Sequence, residues 1–354
     1  MSRFFSSKYS SLEPYVPGEQ LSDSEYIKLN TNENPYPVTA DISDDVLAEI
    51  ERLHLYSDPE NKALHKKIAG TFGVNENEVL ATNGSDEILN FAFMTFCDAE
   101  HPAVFADITY GFYPVFARVN LVPFRTVPVN TGFGINPEDY YNAGGTVFIA
   151  NPNAPTSLAL TRDEIEGIII NNPGNIVVID EAYVDFGAQS CVPLIKKYDN
   201  LLITRTFSKS RSMAGARLGF GIACESLIKD LNTVKYSLNP YNVNRMTAAA
   251  GIAVLGHEDI TKKNIEKIIS TRENTKKELK QYGYEFPDSL TNFIFMKHPG
   301  IDGFEFYRKM KENKVLIRHF SVPAIKDYNR VTIGTDEQMK QFTALARAAA
   351  EGKL

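Results

Sequence analysis

Ile176-Val177-Val178-Ile179-Asp180-Glu181-Ala182-Tyr183 and, further on, Leu201-Leu202-Ile203-Thr204-Arg205-Thr206-Phe207-Ser208-Lys209 are the stretches that decide the fold. The first is an apolar run that ends abruptly on polar side chains, and the second passes from an apolar start into polar ones. A run without polar alternation suits a strand covered on both faces, as in a parallel sheet between helices. Outward from there, between residues 42 and 250, short apolar runs at 79–82, 103–106, 146–150, 175–179, 201–204 and 218–222 alternate with amphipathic segments. That alternation predicts an α/β domain with a mostly parallel sheet. Residues 86–97 read as a helix opened by acidic side chains, which suit its positive amino end.

Beyond residue 250 the pattern changes. Residues 259–282 form a long, lysine-rich amphipathic stretch, read as a surface helix joining two domains. A strand at 292–296, a helix at 303–313, a short strand at 315–318, a strand at 330–333 and a last helix from Thr335 make a small α+β domain. The Pro/Gly-rich first forty residues read as an irregular arm. The expected division is therefore an arm (1–41) contributing to the small domain and the active site, a large domain (42–250) and a small C-terminal domain (251–354).

Composition narrows the function. The 354 residues are 43% hydrophobic and 23% charged, with 37 basic against 44 acidic side chains and a net charge of -7. That balance disfavours nucleic acid or an anionic membrane as the main partner. Cys97, Cys191 and Cys224 follow no C-x-x-C pattern, as expected of reduced thiols in the cytosol. The six histidines never fall at i, i+4, so no metal site is expected. The amino terminus lacks the apolar run of a signal peptide, and no stretch reaches the ~18–20 apolar residues that span a bilayer. A soluble, cytoplasmic protein is the expectation.

Chemistry gathers where strands end, the place ligands occupy in open α/β sheets. Asn83-Gly84-Ser85-Asp86-Glu87 joins a strand to a helix whose free N–H groups could hold a phosphate, though a plain turn reads the same way. Asp180 ends an apolar strand, where a carboxylate can pair with a protonated ring nitrogen; its alternative reading is a helix N-cap. Lys209 lies just past a buried strand, where a desolvated amine becomes nucleophilic, with Ser208 and Arg217 as phosphate ligands. A solvated loop lysine is the plainer alternative. Asn151-Pro152-Asn153-Ala154-Pro155-Thr156 is a stiff turn, structural in most proteins, from which Asn153 could donate to a ring oxygen.

Taken in order, these elements resemble the fold-type I pyridoxal-phosphate (PLP) aminotransferases, and among them the histidinol-phosphate aminotransferase group. Pro14-Tyr15-Val16-Pro17-Gly18, Lys28-Leu29-Asn30-Thr31-Asn32-Glu33-Asn34-Pro35, the strand-end motifs and Arg330-Val331-Thr332-Ile333-Gly334-Thr335 extend the resemblance over nearly the whole chain. It implies that Lys209 holds PLP as a Schiff base and shuttles the substrate's proton, and that Asp180 keeps the pyridine nitrogen protonated. Asn153 and Tyr183 match the hydrogen-bond partners of the ring oxygen, and Tyr110 the aromatic stacked on the ring. The phosphate falls to Ser85, Asp86, Thr206, Ser208 and Arg217, with Tyr56 reaching it from the partner of a homodimer. Arg330 matches the arginine for the substrate's α-carboxylate, and Arg318, Tyr15 and Asn32 complete the substrate side.

The family's Pro-Asn-Asn-Pro-Thr-Gly stands here as Pro152-Asn153-Ala154-Pro155-Thr156-Ser157, and Arg211 adds a cation whose direction is open. The implied reaction is transamination between histidinol phosphate and 2-oxoglutarate, run toward histidinol phosphate in histidine biosynthesis. Rival readings are an aromatic aminotransferase, a threonine-phosphate decarboxylase and a PLP-carrying regulator. A dinucleotide oxidoreductase is disfavoured because no strand leads into G-x-G-x-x-G.

Overall fold

Val177 and Ile179 belong to one hydrophobic cluster and Val178, between them, to another. That period-two split shows why the run is apolar throughout: both faces of the strand are covered. The computed structural model describes residues 2–10, 12–15, 17–20, 25–38 and 42–354. Met1, Val16 and Asp41, on which parts of the sequence reading fall, lie outside the described residues.

In chain order the strands are β1 (Ile27–Lys28), β2 (Val79–Thr82), β3 (Ala103–Ala106), β4 (Phe124–Val127), β5 (Thr146–Ala150), β6 (Val177–Asp180), β7 (Leu201–Thr206), β8 (Gly219–Ala223), β9 (Phe293–Met296), β10 (Val315–Leu316), β11 (Arg318–His319) and β12 (Asn329–Thr332). The helices are α1 (Ser43–Ile50), α2 (Lys62–Phe72), α3 (Ser85–Phe96), α4 (Tyr113–Val119), α5 (Arg162–Ile170), α6 (Glu225–Leu238), α7 (Arg245–Val254), α8 (Glu258–Gln281), α9 (Gly303–Glu312) and α10 (Asp336–Ala350).

The main sheet has seven strands in the order β2-β8-β7-β6-β5-β3-β4. Only β8 runs against its neighbours, so the sheet is mostly parallel as expected. Leu64, Ile68, Ile165, Ile168 and Ala250 from α2, α5 and α7 cover one face. Ile88, Phe91, Phe116, Leu227 and Leu231 from α3, α4 and α6 cover the other. β4 is absent from the sequence reading because it is an edge strand with Arg125 and Thr126 exposed, which breaks the apolar run.

A three-stranded antiparallel sheet, β11-β12-β9, packs against α8, α9 and α10 through Ile268, Phe293, Phe306, Met310 and Phe342. The single strand expected at 315–318 divides in two. Val315 and Leu316 pair in parallel with β1, whereas Arg318 and His319 pair with β12. The amino-terminal segment is thus not wholly irregular: Leu29 donates to Leu316 O (2.8 Å) and accepts from Thr332 N (2.9 Å) before the chain turns toward the main sheet.

Candidate active site

Parallel register aligns Ala150, Asp180 and Thr204 across β5, β6 and β7, so the polar residues that follow these strands emerge side by side. They wall a cavity of about 340 Å³ that Ser85, Asp86, Tyr110, Asp180, Tyr183, Thr206, Ser208, Lys209 and Arg217 all line. Nine of the residues singled out in the sequence therefore meet in one place.

Asp180 is buried and accepts from Thr204 Oγ1 (3.1 Å), Tyr113 Oη (3.3 Å) and Ala182 N (3.2 Å). Burial pushes its carboxyl up to about 6, against the pull of these donors, and the charge of Asp86 adds to the rise. A carboxylate so placed is stabilised by a cation brought to it. Lys209 extends into the cavity, its Nζ donating to Thr31 O (3.2 Å) and lying 5.8 Å from the centre of the Tyr183 ring. The Tyr183 hydroxyl accepts from Asn32 Nδ2 (2.9 Å), which leaves its own proton to donate. Asn32 adopts a left-handed conformation (φ 57°) and is tied to β12 through Thr332, so this one residue couples the second sheet to the cavity.

The cradle at the start of α3 is built by close approach. Gly84 caps the helix with φ 77° and no side-chain cap, so the first N–H groups remain open for an anion. A Cβ at Gly219 would stand 2.4 Å from Ser85 N, and one at Gly84 would stand 2.6 Å from a guanidinium nitrogen of Arg217. Only glycine permits this contact of strand, helix start and arginine. Arg217 pairs with Asp86 (3.0 Å), whose other oxygen accepts from the Tyr110 hydroxyl (2.7 Å). Burial, and then the Asp86 carboxylate, hold that hydroxyl well above its ordinary pKa.

Asn153 is buried in the turn that follows β5. Both of its amide hydrogens are taken, by Ile108 O (2.8 Å) and Thr156 Oγ1 (3.0 Å), and it is Ala154 that lines the cavity. Ala154 offers the cavity a methyl group, and Asn153 Oδ1 accepts from Thr109 Oγ1 (2.7 Å). Ser157, where the family has glycine, sits at φ 68° with a buried, unpartnered hydroxyl. Ser157→Gly is expected to stabilise the protein by about 1 kcal/mol, by relieving left-handed strain and a desolvated hydroxyl. A thermal or urea midpoint that falls instead would contradict this account.

Arg211 faces away from the cavity. It is buried between Glu258 at the start of α8 (3.0 Å) and Asp185, which also binds Arg205 and the Ser210 hydroxyl (2.6 Å). Glu181 completes this network through Arg205 (3.2 Å). Burial works to raise the pKa of Asp185, but Arg205 and Arg211 outweigh it and hold the carboxyl well below the usual range.

On the substrate side, β11 and β12 place Arg318 directly opposite Arg330. Like charges in that position repel, which an arriving anion relieves. Arg330 donates to Asn30 O (3.1 Å), its Nε is buried without a partner, and its guanidinium lies 5.3 Å from the centre of the Phe293 ring. Burial draws its pKa below the ordinary value, and Arg318 pushes the same way. Arg318 donates to Pro17 O (3.1 Å), and Tyr15 packs on Phe112 (4.2 Å). Neither arginine lines the cavity itself. Tyr56 is 79% exposed, stacked on Tyr241 (4.5 Å), and does not line this chain's cavity.

The sequence reading missed Tyr113, Thr204, Thr31 and Glu33. Thr204 is the strand neighbour of Asp180, so register carried a signal for it, whereas Tyr113 opens α4 and carried none. Among the described residues no cluster of His, Cys, Asp and Glu could hold a metal ion, and no helix is long and apolar enough to cross a membrane.

A family model for aminotransferases of class I and II matches residues 24–344. The chain is 47% identical over 344 residues to the histidinol-phosphate aminotransferase of Brachyspira hyodysenteriae, covering 97% of each chain. It is 42% identical over 331 residues to that of Lactococcus lactis, covering 93% of each. The solved histidinol-phosphate aminotransferase of Sinorhizobium meliloti, in complex with pyridoxal-5'-phosphate, superposes with a TM-score of 0.89 at 22% identity, over 100% of this chain and 99% of that one.

Proposed function

The chain belongs to the class I and II aminotransferases, and we propose on that premise that it is a PLP-dependent histidinol-phosphate transaminase. Glutamate gives up its amino group, leaving as 2-oxoglutarate, and imidazole-acetol phosphate receives it to become histidinol phosphate, the direction used in histidine biosynthesis. Its fold is that of the fold-type I PLP-dependent transferases. The observation that carries the reading is one cavity joining Lys209, the buried Asp180 and the open start of α3, with Arg330 bound to Asn30 O beside the lining residue Thr31.

The residues present fit PLP. The uncapped N–H groups of α3, with Thr206, Ser208 and Arg217, suit a phosphate. Asp180, with its raised pKa, suits a protonated ring nitrogen. When bound, PLP supplies an aldehyde carbon for amine exchange and a protonated ring that withdraws electrons from the substrate's α-carbon. Lys209 would carry the proton between that α-carbon and the cofactor's aldehyde carbon, and Thr31 O orients its amine. Tyr183, fixed by Asn32, would donate to the ring oxygen, and Tyr110 would supply an aromatic face to the ring. Thr204 and Tyr113 hold Asp180 in place. Arg330 binds the α-carboxylate of glutamate, with Arg318, Tyr15 and Asn32 on the substrate side.

Arg330→Ala is expected to raise the KM for glutamate by roughly 30-fold or more, since losing one partner of a buried charge pair costs about 2–5 kcal/mol. An unchanged KM would remove Arg330 from the carboxylate site. We further take residues 1–41 as the arm, 42–250 as the cofactor-binding domain and 251–354 as the small domain. The active unit is a cytoplasmic homodimer in which Tyr56 reaches the partner's phosphate. Its exposure, beside exposed Leu47, Ile50, Leu53 and Leu55, supports that arrangement.

The experiment that tests the function adds histidinol phosphate, phenylalanine or phosphothreonine separately to the PLP-loaded protein and follows the visible band. Rapid bleaching by histidinol phosphate alone, yielding imidazole-acetol phosphate, supports the proposal. A comparable or faster response to phenylalanine makes the protein an aromatic aminotransferase, and carbon dioxide from phosphothreonine makes it a decarboxylase.

A further inference from the structure

Residues 30–34 run along the cavity and touch its working parts in turn. Asn30 O accepts from Arg330, Thr31 O from Lys209, Asn32 donates to Tyr183, and Asn34 Nδ2 donates to Lys209 O (3.1 Å). Glu33, in this segment, lines the cavity, and its side chain is 41% exposed. The wall holds two other carboxylates, and both are committed. Asp180 is buried and bound by Thr204 and Tyr113, and Asp86 is bound by Tyr110 and Arg217. Glu33 alone is bound from outside the wall, by Lys28 Nζ at 2.6 Å from each oxygen. A carboxylate offers about four lone-pair sites, so a single ammonium leaves acceptor capacity to spare.

A cavity whose remaining polar side chains are hydroxyls, an amine and a guanidinium is rich in donors. A substrate that brings its own N–H therefore has one open carboxylate to meet. We propose that Glu33 is a specificity-determining residue that accepts the ring N–H of the imidazole-bearing substrate, with Lys28 as the positioning residue that holds the carboxylate when no ring is present. The inference rests on the histidinol-phosphate reading above. It gives that reading a physical basis for discrimination. A site that offers a carboxylate to a substrate N–H favours an imidazole over a phenyl ring, which has no such hydrogen to donate.

The test measures kcat/KM for histidinol phosphate and for glutamate in the PLP-loaded parent, Glu33→Ala and Glu33→Gln. The ratio of the two values is expected to fall about 10- to 100-fold in Glu33→Ala, the size of a lost hydrogen bond to a charged acceptor. Glu33→Gln keeps an uncharged acceptor of the same size and is expected to lie between. A structural role alone would lower both substrates together and leave the ratio unchanged in both variants, which overturns the proposal. A parent that reacts with glutamate but not with histidinol phosphate fails the proposed function itself, before any variant is compared.

Discussion

Replacing Lys209 by alanine is expected to reduce steady-state transamination by about 10⁴-fold or more while leaving the fold intact. A positioned acid–base group is worth roughly 10²–10⁴-fold, and this lysine also provides the covalent attachment of the cofactor. Stability is spared because the amine makes one hydrogen bond, to Thr31 O (3.2 Å), and faces a cavity. Three measurements check this together: turnover, the visible band of the lysine-bound cofactor, and the thermal midpoint. Turnover and band should vanish with the midpoint nearly unchanged. Retained steady-state activity would sink the assignment.

Asp180→Asn is expected to lower kcat by roughly 10²- to 10⁴-fold, since breaking a buried ion pair costs about 3–5 kcal/mol and each 1.36 kcal/mol is a factor of ten. The same residue predicts a pH effect. Its carboxyl stands at about 6 in the folded, cofactor-free protein against 3.8 ordinarily. Well below pH 3.8 it is protonated in both folded and unfolded chains and costs nothing. As the pH rises to about 6, the unfolded chain releases its proton first, and the fold is left burying an anion. Cofactor-free protein should therefore lose up to about 3 kcal/mol of stability across that window. PLP, with its protonated ring nitrogen, should remove the loss, and so should Asp180→Asn. Denaturation midpoints at pH 4 and 7 in the presence and absence of PLP test this, and a flat profile without PLP would contradict the buried-anion argument.

The buried charge network behind Lys209 gives Arg211 a place without a catalytic role. Arg211 and Arg205 share Asp185, and Asp185 also receives the hydroxyl of Ser210, the residue after the lysine. Glu258 brings the first turn of α8 into the same cluster. The loop carrying Lys209 is thus anchored to the helix that leads into the second sheet.

What this chain's sequence determined by itself follows from burial. A strand covered on both faces must be apolar along its length, so β2, β3, β5, β6, β7 and β8 could be read directly. Residues that end such strands must lie at the sheet's working edge, which is why Lys209, Asp180 and Ser85 were legible. What the tertiary structure decided is direction. Whether Asn153 or Ala154 faces the cavity depends on which turn atoms satisfy the buried amide, and Ile108 O and Thr156 Oγ1 take both of its hydrogens. Whether Arg211 points at a ligand depends on Glu258, and Arg318 faces Arg330 only because 315–318 divides between two sheets. Thr31 and Asn32 reach Lys209 and Tyr183 from more than a hundred residues away. Periodicity reports which side of an element is buried; the partner that captures a given polar group is set by contacts between distant segments, and those exist only once the chain has folded.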